Sequence, residues 1–188
     1  MMLLALAGAG KACAQQTGTY SVDNPDDIRH LCHAVDGQVL NDKGIAFIRE
    51  PGRIGQFPPP GRNYRVYEDI FHSMAGVIPG DTPEMIKAKM QAFWLRDRAK
   101  LKCQMLGFSI TGGNILKLAV EKNSHLVLGD VTRRWNLDLN LVDPADGETL
   151  LDYVDRELIR ATGNGMETVL RRHQAQIIKY GAKRAREL

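Results

Sequence analysis

Little in this 188-residue sequence is extreme, and each thing it lacks removes a class of protein. The formal net charge is only +3, too small a bias to imply nucleic acid as a partner. After the first fourteen residues nothing approaches the roughly 18 consecutive apolar residues that span a bilayer, so no membrane span is expected. The five histidines form no His-Glu-x-x-His pair, and Ser21, Ser73, Ser109 and Ser124 have no nucleophile-elbow setting. Gly163-Asn164-Gly165 lacks the third glycine of a dinucleotide turn, and Gly10-Lys11 lacks the rest of a phosphate loop, so no cofactor is expected. With 44% hydrophobic and 25% charged residues, the composition is that of an ordinary soluble domain, and the length suits one domain rather than two.

What is present begins with a leader. MMLLALAGAGKACA is a short apolar run closing on the small-x-small sequence Ala12-Cys13-Ala14, the pattern of a secretory signal cleaved after Ala14. No Lys or Arg precedes the run, and Lys11 interrupts its end, both departures from the usual signal. Export to the periplasm would leave a mature chain of residues 15–188 with two cysteines, Cys32 and Cys103, and an even pair in an oxidising compartment suggests one disulfide. Two buried free thiols are the alternative; a metal site with His30 and His33 is a third, poorly supplied with ligands, and no metal is expected.

Hydrophobic spacing predicts helices. Asn24-Pro25-Asp26-Asp27 is a helix start, with a capping Asn, Pro at the first helical position and acids in the first turn; Ile28, Leu31, Cys32 and Val35 then share a face. Residues 51–61 form a Pro-rich loop with Pro51, Pro58, Pro59 and Pro60. Val66, Ile70, Phe71 and Met74 stripe a helix over 64–75. Asp81-Thr82-Pro83-Glu84 opens a longer one over 83–106, burying Ile86, Met90, Phe93, Trp94, Leu101 and Met105. On this reading Cys103 lies on the third helix, and the bridge ties that helix to the first. The C-terminal cations Arg171, Arg172, Lys179, Lys183, Arg184 and Arg186 read as a solvated helix face.

Between 139 and 153 the sequence LNLVDPADGETLLDY crowds Asp143, Asp146, Glu148 and Asp152 together. Their spacing fails the alternating pattern of a calcium loop, and the stretch supplies no nucleophile for acid–base work. Its meaning comes from an internal repeat. Gly112-Gly113-Asn114-Ile115-Leu116-Lys117-Leu118-Ala119 and Gly147-Glu148-Thr149-Leu150-Leu151-Asp152-Tyr153-Val154 align 35 positions apart, and each opens a short helix after a turn. Asn123-Ser124-His125-Leu126 and Asn164-Gly165-Met166-Glu167 precede second helices. The second unit is about eleven residues longer, which predicts longer helices.

On Asp146-Gly147-Glu148-Thr149, Asn123-x-His125-Leu126, Asp138-x-Asn140 and Gly181-Ala182, residues 107–183 resemble degenerate ankyrin repeats. Leu150 and Ile115 stand where that family has proline, and Lys117 and Asp152 where it has histidine. The resemblance implies a mostly α fold of stacked helix-turn-helix repeats over 107–188, completed by divergent helices over 15–106 as an N-terminal cap, since such units need neighbours to bury their apolar faces. It also implies a non-enzymatic protein-binding module. The surface it projects holds Asp143, Asp146, Glu148 and Asp152, with Lys117 and Glu121, and suits a partner with a basic cleft. In size, export and architecture the chain is similar to immunity proteins that neutralise antibacterial toxins, including those delivered by type VI secretion. A housekeeping ankyrin protein supporting envelope or oxidative-stress enzymes is the second expectation, and a small hydrolase using His72 or His173 with a carboxylate the third. Mass spectrometry of the exported protein should find Gln15 at its N-terminus; a chain retaining residues 1–14 would contradict the signal reading.

Overall fold

The computed structural model describes residues 20–36 and 66–188, together with the backbone of residues 39–40 and 46–47. The leader, its cleavage site after Ala14 and the Pro-rich loop 51–61 lie outside the described residues. The described chain is mostly helical: α1 (Pro25–Val35), α2 (Val66–Met74), α3 (Pro83–Asp97), α4 (Ile115–Glu121), α5 (His125–Gly129), α6 (Leu150–Arg160) and α7 (Gly165–Lys179). Among the described residues strand is confined to two antiparallel pairs. In one, β1 (Val39–Leu40) meets β2 (Ala46–Phe47); in the other, β3 (Lys102–Cys103) meets β4 (Gly113–Asn114). Among the described residues no helix is long and apolar enough to cross a membrane.

The helices start where local chemistry puts them. Asn24 accepts the Asp26 N–H at 3.1 Å, with Pro25 at the first helical position, and Leu31, Cys32 and Val35 are buried. Thr82 caps α3 through the Met85 N–H at 3.3 Å. Ile70 and Phe71 of α2 are fully buried, and Val66 and Met74 pack against the same core. That core is one contiguous cluster running from Leu31 on α1 to Ala182 after α7.

One expected helix is shorter than its apolar stripe. The stripe predicts helix to residue 106, but α3 ends at Asp97, passes through a 3-10 turn over Arg98–Lys100 and becomes β3. The cause is tertiary. β3 pairs with β4, the Gly112 N–H donates to the Cys103 carbonyl at 3.0 Å, and the Ile115 N–H donates to that of Leu101 at 3.0 Å. Leu101 is buried, as its place in the stripe predicts, but from an extended segment. Cys103 is therefore on β3, not on the third helix. It is bonded to Cys32 at 2.07 Å, so the bridge ties α1 to the hairpin that launches α4, with both cysteines buried. With Cys32 engaged there, a metal site with His30 and His33 loses its sulfur ligand.

From residue 112 onward the backbone recurs. Gly112 and Gly147, 35 positions apart, both adopt φ +73°, a left-handed turn that a Cβ would strain. Two residues later Asn114 caps α4 and Thr149 caps α6, the latter in a reciprocal box with Asp152. Left-handed Asn123 and Gly163 then lead to α5 and α7, and left-handed Asn136 and Gly181 follow the second helices. The second unit is longer in both helices: α6 has 11 residues against 7 in α4, and α7 has 15, whereas α5 has 5 before a π-helical stretch of 5 over Asp130–Arg134.

Corresponding levels of the two units touch. The Tyr153 hydroxyl on α6 donates to Glu121 on α4 at 2.8 Å, and His173 Nε2 on α7 meets Asn123 Oδ1 before α5 at 3.0 Å. Gln176 donates to Leu128 O at 3.1 Å and to Thr132 Oγ1 at 2.7 Å, and the Lys183 N–H donates to Asn140 Oδ1 at 2.8 Å. Beyond α6 and α7 the outer side is closed by polar contacts: Asp155 accepts from Gln174 and Arg184, and the Ala185 N–H donates to Asp152.

Removing the bridge deletes a loop constraint across 71 positions, worth about 4 kcal/mol in the chain-entropy account. Replacing both cysteines with alanine should lower the thermal midpoint by about 10 °C. An unchanged melting curve would mean that the bridge adds nothing to stability.

Candidate functional site

The acidic turn is built from its own backbone. The Gly147 N–H donates to Asp143 O at 2.7 Å, the Asp143 N–H donates to Glu148 O at 3.0 Å, and the Ala145 N–H caps Asp143 Oδ1 at 3.0 Å. Asp143 points inward, accepting the Asn114 N–H of β4 at 2.6 Å, and is 1% exposed. Above it sits Lys117 of α4, also 1% exposed, with Nζ 2.5 Å from Asp146 Oδ1, 3.3 Å from Asp143 Oδ2 and 3.0 Å from Glu148 O. Arg156 completes the neutralisation, bonding Glu148 Oε2 at 2.5 Å while its guanidinium lies 5.1 Å from the Tyr153 ring centre.

This geometry takes Asp143 and Lys117 off the expected acidic surface. Asp143 and Lys117 are buried against each other, and Asp146, Glu148 and Asp152 are half-buried with partners inside the chain. Glu148 is raised from the usual glutamate range, first by burial, with Arg156 pulling the other way. Asp152 is lowered: burial would raise it, but the N–H groups of Ala185 and Thr149 and the Thr149 hydroxyl overcome that cost. At the turn it is Val142, Pro144, Ala145 and Gly147 that face solvent. The gap between this turn and Trp94 is about 10 Å³, room for one water and no ligand.

Glu121 is different. It ends α4, and three donors hold its carboxylate: the Ser109 N–H at 3.1 Å, the Ser109 hydroxyl at 2.5 Å and the Tyr153 hydroxyl at 2.8 Å. Burial first, and then the neighbouring carboxylate, push the Tyr153 phenol pKa upward, so it stays protonated as a donor. Among the described residues no ion pair forms with Glu121, because its neighbour Lys122 turns to Gly107 O at 3.2 Å and Asp36 at 3.9 Å. Glu121 borders a groove of about 230 Å³ between α4, α6 and the start of α7. Buried Val120, Ala161 and Leu170, with half-exposed Met166, give it an apolar lining. On its rim Glu157 is paired with Arg160 at 2.8 Å.

Of the residues expected to meet a partner, Glu121 alone is free of an internal ion pair or cap. Ser109, Tyr153 and the groove lining were not expected. A signal for Tyr153 lay in the repeat: it aligns with Leu118, and a hydroxyl at a core position needs a polar partner.

The histidines form no shared centre. His173 is 2% exposed, faces Asn123 rather than a carboxylate, and has no partner on Nδ1. His72 Nε2 stands 3.8 Å from Glu68, which is itself bonded to Arg134 at 2.5 Å. His125 is exposed. Among the described residues no group of three or more His, Cys, Asp or Glu side chains is placed to hold a metal ion. Comparison with known protein families, with characterised proteins and with solved structures finds no match.

Two measurements test this description. Lys117→Ala strands the buried Asp143 and should cost about 3–5 kcal/mol in urea unfolding, whereas Glu148→Gln should cost under about 1 kcal/mol. Equal small losses would place the turn in solvent. Burial first, then the nearby Arg172 cation, lowers His173 below its ordinary value of 6.5, and burial likewise lowers His30 and His72. The unfolded chain then takes up protons first. Stability from these groups is complete above about 6.5 and falls as pH drops toward their folded values, by at most about 1.4 kcal/mol per pH unit for each histidine. His173→Gln should flatten the fall of the urea midpoint between neutral and mildly acidic pH; an unaltered slope would mean His173 is not held neutral.

Proposed function

We propose that this chain is a non-enzymatic, ankyrin-like protein-binding module of the periplasm, and that its partner is an antibacterial toxin whose basic cleft it covers. The leader and the bridge between Cys32 and Cys103 are compatible with export. The ankyrin-like reading is supported by the two units recurring at Gly112 and Gly147, with their corresponding levels in contact. Stacks of this kind present side chains from successive units on a continuous surface.

The observation that carries the proposal is the Glu121 carboxylate, held by Ser109 and Tyr153 with no cation of the described chain paired to it. A fixed and uncompensated charge favours a partner of opposite sign and adds little to the stability of the free protein. The acidic turn contributes to the scaffold, not to the contact. A non-enzymatic role is further supported by the one buried histidine among the described residues facing an amide.

An immunity role predicts that the product of an adjacent gene, directed to the periplasm, kills cells lacking this chain and forms a stoichiometric complex with it. Glu121→Arg should weaken that complex at least about tenfold, mainly through faster dissociation. A neighbour that is harmless and does not bind would overturn the immunity reading, and a complex indifferent to Glu121→Arg would overturn the role given to this carboxylate.

A further inference from the structure

The groove beside Glu121 has the dimensions and polarity of a receptor for one side chain. Its volume of about 230 Å³ is below the range of about 300–1,000 Å³ usual for small-molecule pockets. Ala161 and Leu170 leave a narrow apolar edge open to the groove, above fully buried Val120, and Met166, 41% exposed, is an adaptable wall. The polar groups are unequal in sign: Glu121 has no paired cation among the described residues, whereas Arg160, which also lines the groove, is paired with Glu157. Glu157 is also bonded to Arg156 at 3.3 Å, so Glu121 is the uncompensated charge. Aliphatic stem against apolar lining and cation against carboxylate is the pattern of a lysine or arginine side chain.

Resting on the protein-binding reading, we propose that this groove receives a single lysine or arginine side chain from the protein partner, its methylenes against Met166 and the exposed edge of Leu170 and its cation on Glu121. The three hydrogen bonds from Ser109 and Tyr153 fix the carboxylate before the partner arrives, so little ordering is needed on contact. An acidic side chain in the same place would meet Glu121 without a free cation.

The test is an NMR titration of the full chain, following the Val120, Met166 and Leu170 methyl groups, with acetyl-Gly-Arg-Gly-amide, its norleucine and glutamate counterparts, and putrescine. The arginine peptide should shift these methyls with a dissociation constant of order millimolar, about tenfold tighter than norleucine or glutamate and tighter than putrescine. Glu121→Gln, whose one amide oxygen can accept from both the Ser109 and Tyr153 hydroxyls as Oε2 does, should remove that preference while leaving the thermal midpoint nearly unchanged. An equal response to norleucine, a preference for glutamate, tighter binding of putrescine, or no shift with any probe would overturn the inference. If the toxin complex forms and is indifferent to Glu121→Gln, the side-chain receptor fails while protein binding stands. If the arginine peptide binds as expected but no protein complex forms, the reading of the partner fails and the groove's chemistry stands.

Discussion

A buried ammonium joins the two units. Lys117 has almost no contact with solvent, and moving a lysine out of water costs several kcal/mol unless oxygens replace its hydration shell. Here they do so from one turn: Asp143, Asp146 and the Glu148 carbonyl converge on Nζ, while Asp143 also takes the Asn114 N–H. Because the cation belongs to α4 of the first unit and every oxygen to the turn of the second, the contact sets how one unit sits on the other. The turn must face inward for the lysine to be neutralised, and the stacking of α6 on α4 follows.

That constraint explains why a run of acidic residues is not an acidic surface. In sequence, Asp143, Asp146, Glu148 and Asp152 look like concentrated negative charge, but Lys117, Arg156 and the start of the Ala185 turn consume it internally. What remains outward is the carboxylate at the other end of the same helix. Glu121 is held by neutral donors rather than by a cation. The two ends of α4 thus differ: one is paired with a cation inside the fold, the other is held by neutral donors alone.

Features set by neighbours in sequence were legible before the structure. The Asn24, Thr82 and Thr149 caps depend on N–H groups within three residues, and the mostly helical character follows from apolar spacing. Pairing of Cys32 with Cys103 followed from there being two cysteines beyond the leader. Features set across the fold were not legible. The end of α3 depends on a strand partner and a disulfide, neither of which a helical period records. Lys117 reads as surface because lysine ordinarily is; its partners lie 26 to 31 positions away. The groove required α4, α6 and α7 to be placed together, and only Tyr153, a phenol where the repeat elsewhere has leucine, hinted at it.

Lysine acetylation of the native protein, read by mass spectrometry, tests the inward-facing turn most directly. Lys87, Lys102 and Lys179 are exposed and should be modified first, whereas Lys117 should remain unmodified until the protein unfolds. Modification of Lys117 at the rate of Lys179 would contradict the buried contact, and with it the assignment of the acidic turn to the scaffold rather than to the partner.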